Sequence, residues 1–349
     1  GSLTADKKVK VVDAEGVETV YEAEHIILAT GCRVRQLPAL PIDGEKIISY
    51  RQALVLDKLP ETMVVVGSGA IGSEFAFFFT SMGVKVTLVE FMPNILPVED
   101  EEVSKQVERC FKKLKMTVMT ESSVTNVDTT GEKCVCTIET KKGPKVVEAD
   151  IVLSAVGVQT NLENLGLEEL GIATERGKVI VDDYYRTNVE GVYAIGDVSS
   201  KIQLAHVASA QGTACVDMLC GLENHVSQSV VPSCIYSRPE IAVVGMTDAE
   251  AKAAGIPAKA GKCAMFGNAK TVIMDGDRSF MKVVAHAETH KVLGAQLMCE
   301  HATDMISQVA QAIANDMTAE QLLLAMRPHP TFEEVLSEAL EDLVEKLNK

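Results

Sequence analysis

Residues Met63 to Glu90 read MVVVGSGAIGSEFAFFFTSMGVKVTLVE, and this stretch decides the fold class. Met63–Val66 is a short, β-branched apolar run of the kind buried on both faces in a parallel sheet. Gly67, Gly69 and Gly72 follow at G-x-G-x-x-G spacing, and an apolar helical segment runs from Ile71 to about Met82, closed by Gly83. A second strand, Val84–Val89, ends on Glu90. Strand, glycines, helix, strand and terminal acid in that order predict an α/β unit built around a dinucleotide. Gly67 permits the tight turn, Gly69 lets the backbone approach the phosphates, and Gly72 lets helix and strand pack closely. The pyrophosphate would then meet free N–H groups at a helix N-terminus. Glu90 is expected to accept from the ribose 2′-OH of NAD. No Lys or Arg stands in FMPNIL, residues 91–96, to offset the charge of a 2′-phosphate, so NAD is expected over NADP.

The 349 residues have room for two or three domains, and 47% hydrophobic with 23% charged residues is an ordinary globular composition. A net charge of −16 argues against nucleic acid or an anionic membrane as partner, since either calls for a basic face. No apolar run approaches the ~20 residues of a membrane span. Nine cysteines, an odd number without a framework, fit the reduced thiols of a cytoplasmic protein. Cys134 and Cys136 alternate along a strand-like run and should face one side of a sheet, while Cys215 and Cys220 form C-x4-C.

Before the glycine stretch, Lys8–Glu22 reads as short strands around a turn at residues 13–16. His25–Ala29 is an apolar strand running into Thr30-Gly31, and Ser49–Leu56 is one helical segment. After it, Val103, Val107, Phe111 and Leu114 mark a helix face, followed by strands at 116–119, 123–127, 134–138 and 146–148. DIVLSAV, residues 150–156, is another apolar strand into Gly157, and GVYAIGD, residues 191–197, is a strand ending in Gly196-Asp197. A helix is predicted from Ala205 to Leu219, stopped by Gly221. From Val230 the order of strands (241–244, 280–285, 293–298) and helices (248–254, 302–315, 318–325, 331–347) is no longer a βαβ alternation and predicts an α+β domain.

With these segments placed, the chain resembles the pyridine-nucleotide disulfide oxidoreductases, most closely their dihydrolipoyl dehydrogenase branch. HIILATG is similar to the family's ATG segment that passes FAD, which assigns Thr30 and Gly31 to that cofactor. VVVGSGAIGSE resembles its NAD motif, with Glu74 matching an acid near the nicotinamide. SAVGVQTN, residues 154–161, resembles the segment lining the NAD pocket at Gly157, although Val158 stands where an arginine is common. GVYAIGD followed by LAHVASAQG resembles the second FAD motif, implying FAD contacts at Gly196, Asp197, Leu204, Ala205 and His206. RPHPTFEE, residues 327–334, resembles the C-terminal signature whose acid–base pair would be His329 and Glu334. An imidazole suits proton transfer near neutrality, and Glu334 would orient it. Thr331-x-x-Glu334 also reads as a capping box opening the last helix.

The resemblance implies a Rossmann-like NAD-binding domain (59–160), two segments of an FAD-binding domain (1–58 and 161–228) and a C-terminal α+β dimerisation domain (229–349). It implies a homodimer that oxidises dihydrolipoyl groups carried by a lipoyl-bearing protein domain of a 2-oxoacid dehydrogenase or glycine cleavage complex, with FAD as relay and NAD as acceptor. No metal is called for. Two parts of that circuit are missing from these residues: a glycine motif before residue 30, and the C-x4-C redox pair that the family carries in the same region. Cys215 and Cys220 have the spacing but lie on a helix, about 140° apart around its axis, so a disulfide there would break it. The expectation is therefore a fragment, inactive alone. A non-catalytic NAD-binding dimer scaffold and a soluble transhydrogenase-type flavoprotein are the alternatives.

Overall fold

The structure, a computed structural model, describes residues 1–276 and 279–349 and divides into two compact units. The first comprises residues 1–35 and 158–229, the second residues 36–157 and 230–349.

In the first unit, Ser2–Leu3, Val9–Val12 and Glu18–Tyr21 form a three-stranded antiparallel sheet. Its outer hairpin is poorly covered: Val12, Val20 and Tyr21 are each more than half exposed. Ile26–Leu28 pairs in parallel with Val192–Ala194, so Thr30-Gly31 and Gly196-Asp197 leave the same end of the pair. Cys32–Val34 runs antiparallel to Val158–Thr160. Leu28, Leu167, Ile172, Val179, Val192 and Val198 make the core. The helix Ala205–Leu219 has the predicted bounds; Cys215 is buried within it and Cys220 is its exposed C-cap.

The second unit holds the glycine stretch. Its parallel sheet has the order Ile47–Ile48, Ile151–Ser154, Thr62–Val66, Lys85–Val89, Thr117–Met119, with every pair parallel. The central strands Thr62–Val66 and Ile151–Ser154 are buried on both faces, as their apolar runs require. An antiparallel meander, Ser122–Asp128, Cys134–Thr140 and Lys145–Ala149, covers one side. Cys134 and Cys136 both point into its core, and burial pushes the Cys136 thiol up to about 12. From residue 230 the chain builds a five-stranded antiparallel sheet, in the order Ser233–Ile235, Glu240–Gly245, Val292–Cys299, Phe280–His286, Ala258–Ala264. The helices Ala302–Ala314 and Glu334–Leu347 pack their apolar stripes on it. One apolar cluster joins Ile235, Ile241 and Phe280 of this sheet to Val65 and Leu153 of the parallel one and to Phe79 of the helix Ala70–Ser81.

Three differences from the sequence expectation have physical causes. The strand Ala258–Ala264, AKAGKCA, lacks β-branched residues and gives no strand signal. It exists because Gly261 lets the last helix lie against its backbone, where a Cβ would strike the Ala339 carbonyl and Leu343. The short edge strand Ser233–Ile235 is likewise set by pairing with Glu240–Gly245. The last helix begins at Glu334, not Thr331: the Thr331 hydroxyl donates to the Pro328 carbonyl instead of capping. Only the reciprocal half of the capping box survives, Thr331 N donating to Glu334 Oε2 at 2.9 Å.

Asp100 caps the helix Glu101–Lys113 through the Glu102 N–H at 2.8 Å and pairs with Lys282 at 2.6 Å, both side chains 6% exposed. Beside it, burial and then the charges of Asp100 and Glu250 push the Glu99 carboxyl up from near 4.5 to about 7. A folded-state value above the unfolded one means the folded protein binds this proton more tightly. Its stabilising contribution is complete below pH 4.5 and is lost as pH rises through 7. Glu99→Gln is therefore expected to raise stability at pH 8 by up to about 3 kcal/mol and to change little at pH 4, read by denaturant unfolding at both pH values.

Candidate active site and cofactor loops

The glycine loop follows from the strand that delivers it. Gly67 leaves Thr62–Val66 with φ of +95°, and a Cβ there would lie 2.5 Å from the Ala155 carbonyl oxygen. Gly69 is the N-cap of the helix Ala70–Ser81; no side chain caps that end, no acid stands in its first turn, and the space a Cβ would occupy is open. A Cβ on Gly72 would fall well inside 3.0 Å of the Gly67 carbonyl oxygen, so the turn and the helix close on each other. The first intrahelical bond is Ser73 N to Gly69 O at 2.9 Å, which leaves the N–H groups of the preceding turn for an anion. These features fit a pyrophosphate.

Glu90 sits where Lys85–Val89 ends, 7% exposed. Its Oε2 accepts from Ser68 N at 2.8 Å and Ser68 Oγ at 2.6 Å, and its Oε1 from Met92 N at 2.8 Å. Beside it Phe91, Pro93, Glu121, Ser122, Ser123 and Glu139 line a cavity of about 350 Å³. Glu139 brings a carboxylate to this lining, and Glu121 a second that is paired with Lys141. Glu74 lies on the same helix as Gly72; burial raises its pKa, partly offset by the bond its Oε1 accepts from Tyr236 N at 2.9 Å. Gly157, φ +98°, turns the chain out of Ile151–Ser154 with nothing within 4 Å of where a Cβ would stand.

In the first unit, the residues assigned to FAD gather at one end of the parallel strand pair. Thr30 Oγ1 donates to the Asn161 carbonyl at 2.9 Å, and Asn161 returns bonds from Nδ2 to Thr30 O at 3.0 Å and from N to Gly31 O at 3.0 Å. Gly31 has φ +65° and open space where a Cβ would stand. Gly196, φ +68°, donates its N–H to Gln211 Oε1 at 2.8 Å. Asp197 Oδ2 accepts from Cys32 Sγ at 2.7 Å. Leu204 is the N-cap of the helix Ala205–Leu219 without any side-chain cap, and Ala205 and His206 are exposed in its first turn. Open backbone at Gly31, an uncapped helix end and a carboxylate at the strand end fit the phosphate and polyol parts of a flavin nucleotide. Asn161 is the member of this cluster that sequence reasoning did not single out, because its bonds go to the carbonyls of Thr30 and Gly31, in a turn far from it in the chain.

In the second unit, His329 Nδ1 lies 2.8 Å from Glu334 Oε1. Glu334 Oε2 is held by the Thr331 N–H, and this bond, then His329, keeps the carboxyl below its usual range. An ionised Glu334 assigns the Nδ1–H tautomer to a neutral His329, which leaves Nε2 as the ring's acceptor. The loop is tied down by Arg327, whose Nη1 donates to Ser337 Oγ at 2.9 Å and Nη2 to Gln308 Oε1 at 3.1 Å. Sequence reading missed that anchor, since neither partner is near Arg327 in the chain.

A glycine-loop parallel sheet joined to an antiparallel domain that presents an oriented His–Glu pair suits an oxidoreductase that takes a dinucleotide, and comparison with known proteins makes the class that of the NAD-dependent flavoprotein disulfide oxidoreductases. Residues 2–212 match the pyridine nucleotide-disulphide oxidoreductase family and residues 231–340 match that family's dimerisation domain; the chain belongs to this family. It is 42% identical over 328 residues to a dihydrolipoyl dehydrogenase of Rhizobium etli, covering 93% of this chain and 68% of that protein. It is 41% identical over 340 residues to one of Chlorobaculum parvum, covering 97% and 72%. The crystal structure of LpdA from Mycobacterium tuberculosis superimposes with a TM-score of 0.89 at 30% identity, covering 98% of this chain and 74% of that one. FAD and NAD are the family's cofactors. No helix among the described residues is long and apolar enough to cross a membrane.

Proposed function

We propose that this chain is the NAD-binding, second FAD-binding and dimerisation part of a dihydrolipoyl dehydrogenase. The observation that carries this is the oriented pair His329–Glu334 at 2.8 Å, in a chain that also holds a complete glycine loop ending on Glu90. In the reaction, His329 Nε2 accepts a proton from a dihydrolipoyl thiol, and Glu334 holds the ring and stabilises the imidazolium that results. Bound FAD supplies the electron relay between dithiol and nicotinamide. Gly67, Gly69, Gly72 and Gly157 give NAD room at the backbone, Glu90 takes the adenosine ribose, and Glu74 lies toward the nicotinamide. Thr30, Gly31, Gly196, Asp197, Leu204, Ala205 and His206 hold the flavin nucleotide. Within the complete enzyme this part works in a cytoplasmic homodimer on lipoyl-bearing domains of 2-oxoacid dehydrogenase or glycine cleavage complexes, His329 serving the partner subunit's disulfide.

As these 349 residues stand, the only C-x4-C is Cys215 and Cys220, one buried and the other exposed. The chain by itself is therefore inactive toward dihydrolipoamide and retains NAD binding. Calorimetric titration with NAD and NADP, alongside a dihydrolipoamide assay with added FAD, tests both halves. NAD is expected to bind at least 10-fold more tightly than NADP, with no turnover. Equal affinities would sink the role of Glu90, and turnover with stoichiometric FAD would overturn the inactivity.

A further inference from the structure

The Glu90 carboxylate is already well occupied when no ligand is bound. A carboxylate has about four acceptor positions, two on each oxygen. Among the described residues, Ser68 N and Ser68 Oγ take both positions of Oε2, and Met92 N takes one of Oε1. One position is left, yet an adenosine ribose brings two vicinal hydroxyls. Two of the three donors are backbone N–H groups set by the glycine loop and the turn after Glu90, and neither can turn away without moving the chain. The third is a side-chain hydroxyl, free to rotate about one bond. Ser68 is fully buried, and its Oγ also accepts from Leu96 N at 3.2 Å, so it keeps one partner after releasing the carboxylate.

We infer that Ser68 is a positioning and specificity residue for the dinucleotide: its hydroxyl satisfies Glu90 in the ligand-free protein and gives up one acceptor position to the ribose on binding. The inference rests on the NAD reading of this loop and deepens it. Bond exchange of this kind reduces affinity, because the hydroxyl surrendered to the ribose is a charge-assisted donor already in place. It also narrows the preference for a two-hydroxyl ribose: a ligand with a single ribose hydroxyl uses the open Oε1 position and never has to displace Ser68, so only the two-hydroxyl ligand bears the cost.

The test is calorimetric titration of NAD and of its adenosine-ribose 2′-deoxy analogue against the wild type, Ser68→Ala and Ser68→Gly, with the unfolding midpoint of each ligand-free protein measured in parallel. Removing the hydroxyl is expected to tighten NAD about 10-fold in both variants. The 2′-deoxy analogue is expected to stay within about two-fold of its wild-type affinity, a split that loosening of the loop would not produce. NAD affinity that is unchanged or weaker in folded variants, or an equal gain for both ligands, would overturn the role of Ser68 alone. A wild type that binds neither ligand overturns the NAD reading itself and the inference with it.

Discussion

Gly72→Ala is expected to weaken NAD binding at least 100-fold and to lower the unfolding midpoint of the ligand-free protein. The added Cβ meets the Gly67 carbonyl oxygen and carbon, with the Ala155 Cβ at 3.2 Å behind them. Those first obstacles are backbone, so no side-chain rotation relieves them, and either the helix Ala70–Ser81 or the turn at Gly67 must shift. Overpacking of a well-filled site costs about 1–3 kcal/mol, and here it also spoils the alignment of N–H groups that receive a pyrophosphate. Gly69→Ala is the informative control. Its φ is −62° and nothing lies within 4 Å of the new methyl. The ligand-free fold should be unaffected while NAD still weakens, because the methyl stands where the phosphates approach. Titration of NAD with thermal unfolding of both variants separates the two effects; equal binding by Gly72→Ala and wild type would remove the third glycine from its role.

Lys282→Met is expected to cost about 3–5 kcal/mol of stability, the range for breaking a buried pair and leaving one charge behind. Lys282 lies on Phe280–His286 with 6% of its side chain exposed, bonded to Asp100 at 2.6 Å and Asp248 at 3.0 Å. Burial pulls its pKa down, but the bonds to Asp100 and Asp248 outweigh that and hold it above the ordinary lysine value. Without the ammonium, the Asp100 carboxylate remains buried with, among the described residues, only the helix N–H of Glu102 in its support. Asp100→Asn in the Lys282→Met background should recover at least half of the loss, since the amide still accepts that N–H. Denaturant midpoints of the two single variants and the double variant check this; additive losses would show that the pair is not coupled. Leu96, at the other end of the segment Asp100 anchors, donates its N–H to Ser68 O at 3.1 Å, so the same variant is a measure of how firmly the glycine loop is backed.

The parallel sheet of the second unit was legible because every level of the sequence agrees there. Apolar runs, positive-φ glycines, the helix between them and the closing acid all point to one local structure. The same holds for Ala205–Leu219, a helix that the sequence places at about those bounds. The C-terminal sheet was legible only in its central strands. Ala258–Ala264 carries no strand signal because its conformation is imposed by pairing with Phe280–His286 and by the helix that rests on Gly261. The start of the last helix moved three residues because the Thr331 hydroxyl found the Pro328 carbonyl, a competition a four-residue motif does not reveal.

By itself, the sequence determined that this protein carries a dinucleotide loop, which residues compose it, and that a His–Pro–Thr segment stands before the last helix. Those are properties of contiguous residues and of the backbone freedom they allow. Only the tertiary structure decided which groups those residues meet: Ser68 and Met92 on Glu90, Tyr236 on Glu74, Asn161 on Thr30 and Gly31, Ser337 and Gln308 on Arg327, and Lys282 on Asp100. Most of these contacts join residues far apart in the chain. Each satisfies a polar group that burial or a turn has taken from water, a demand that arises only once the fold has closed around it.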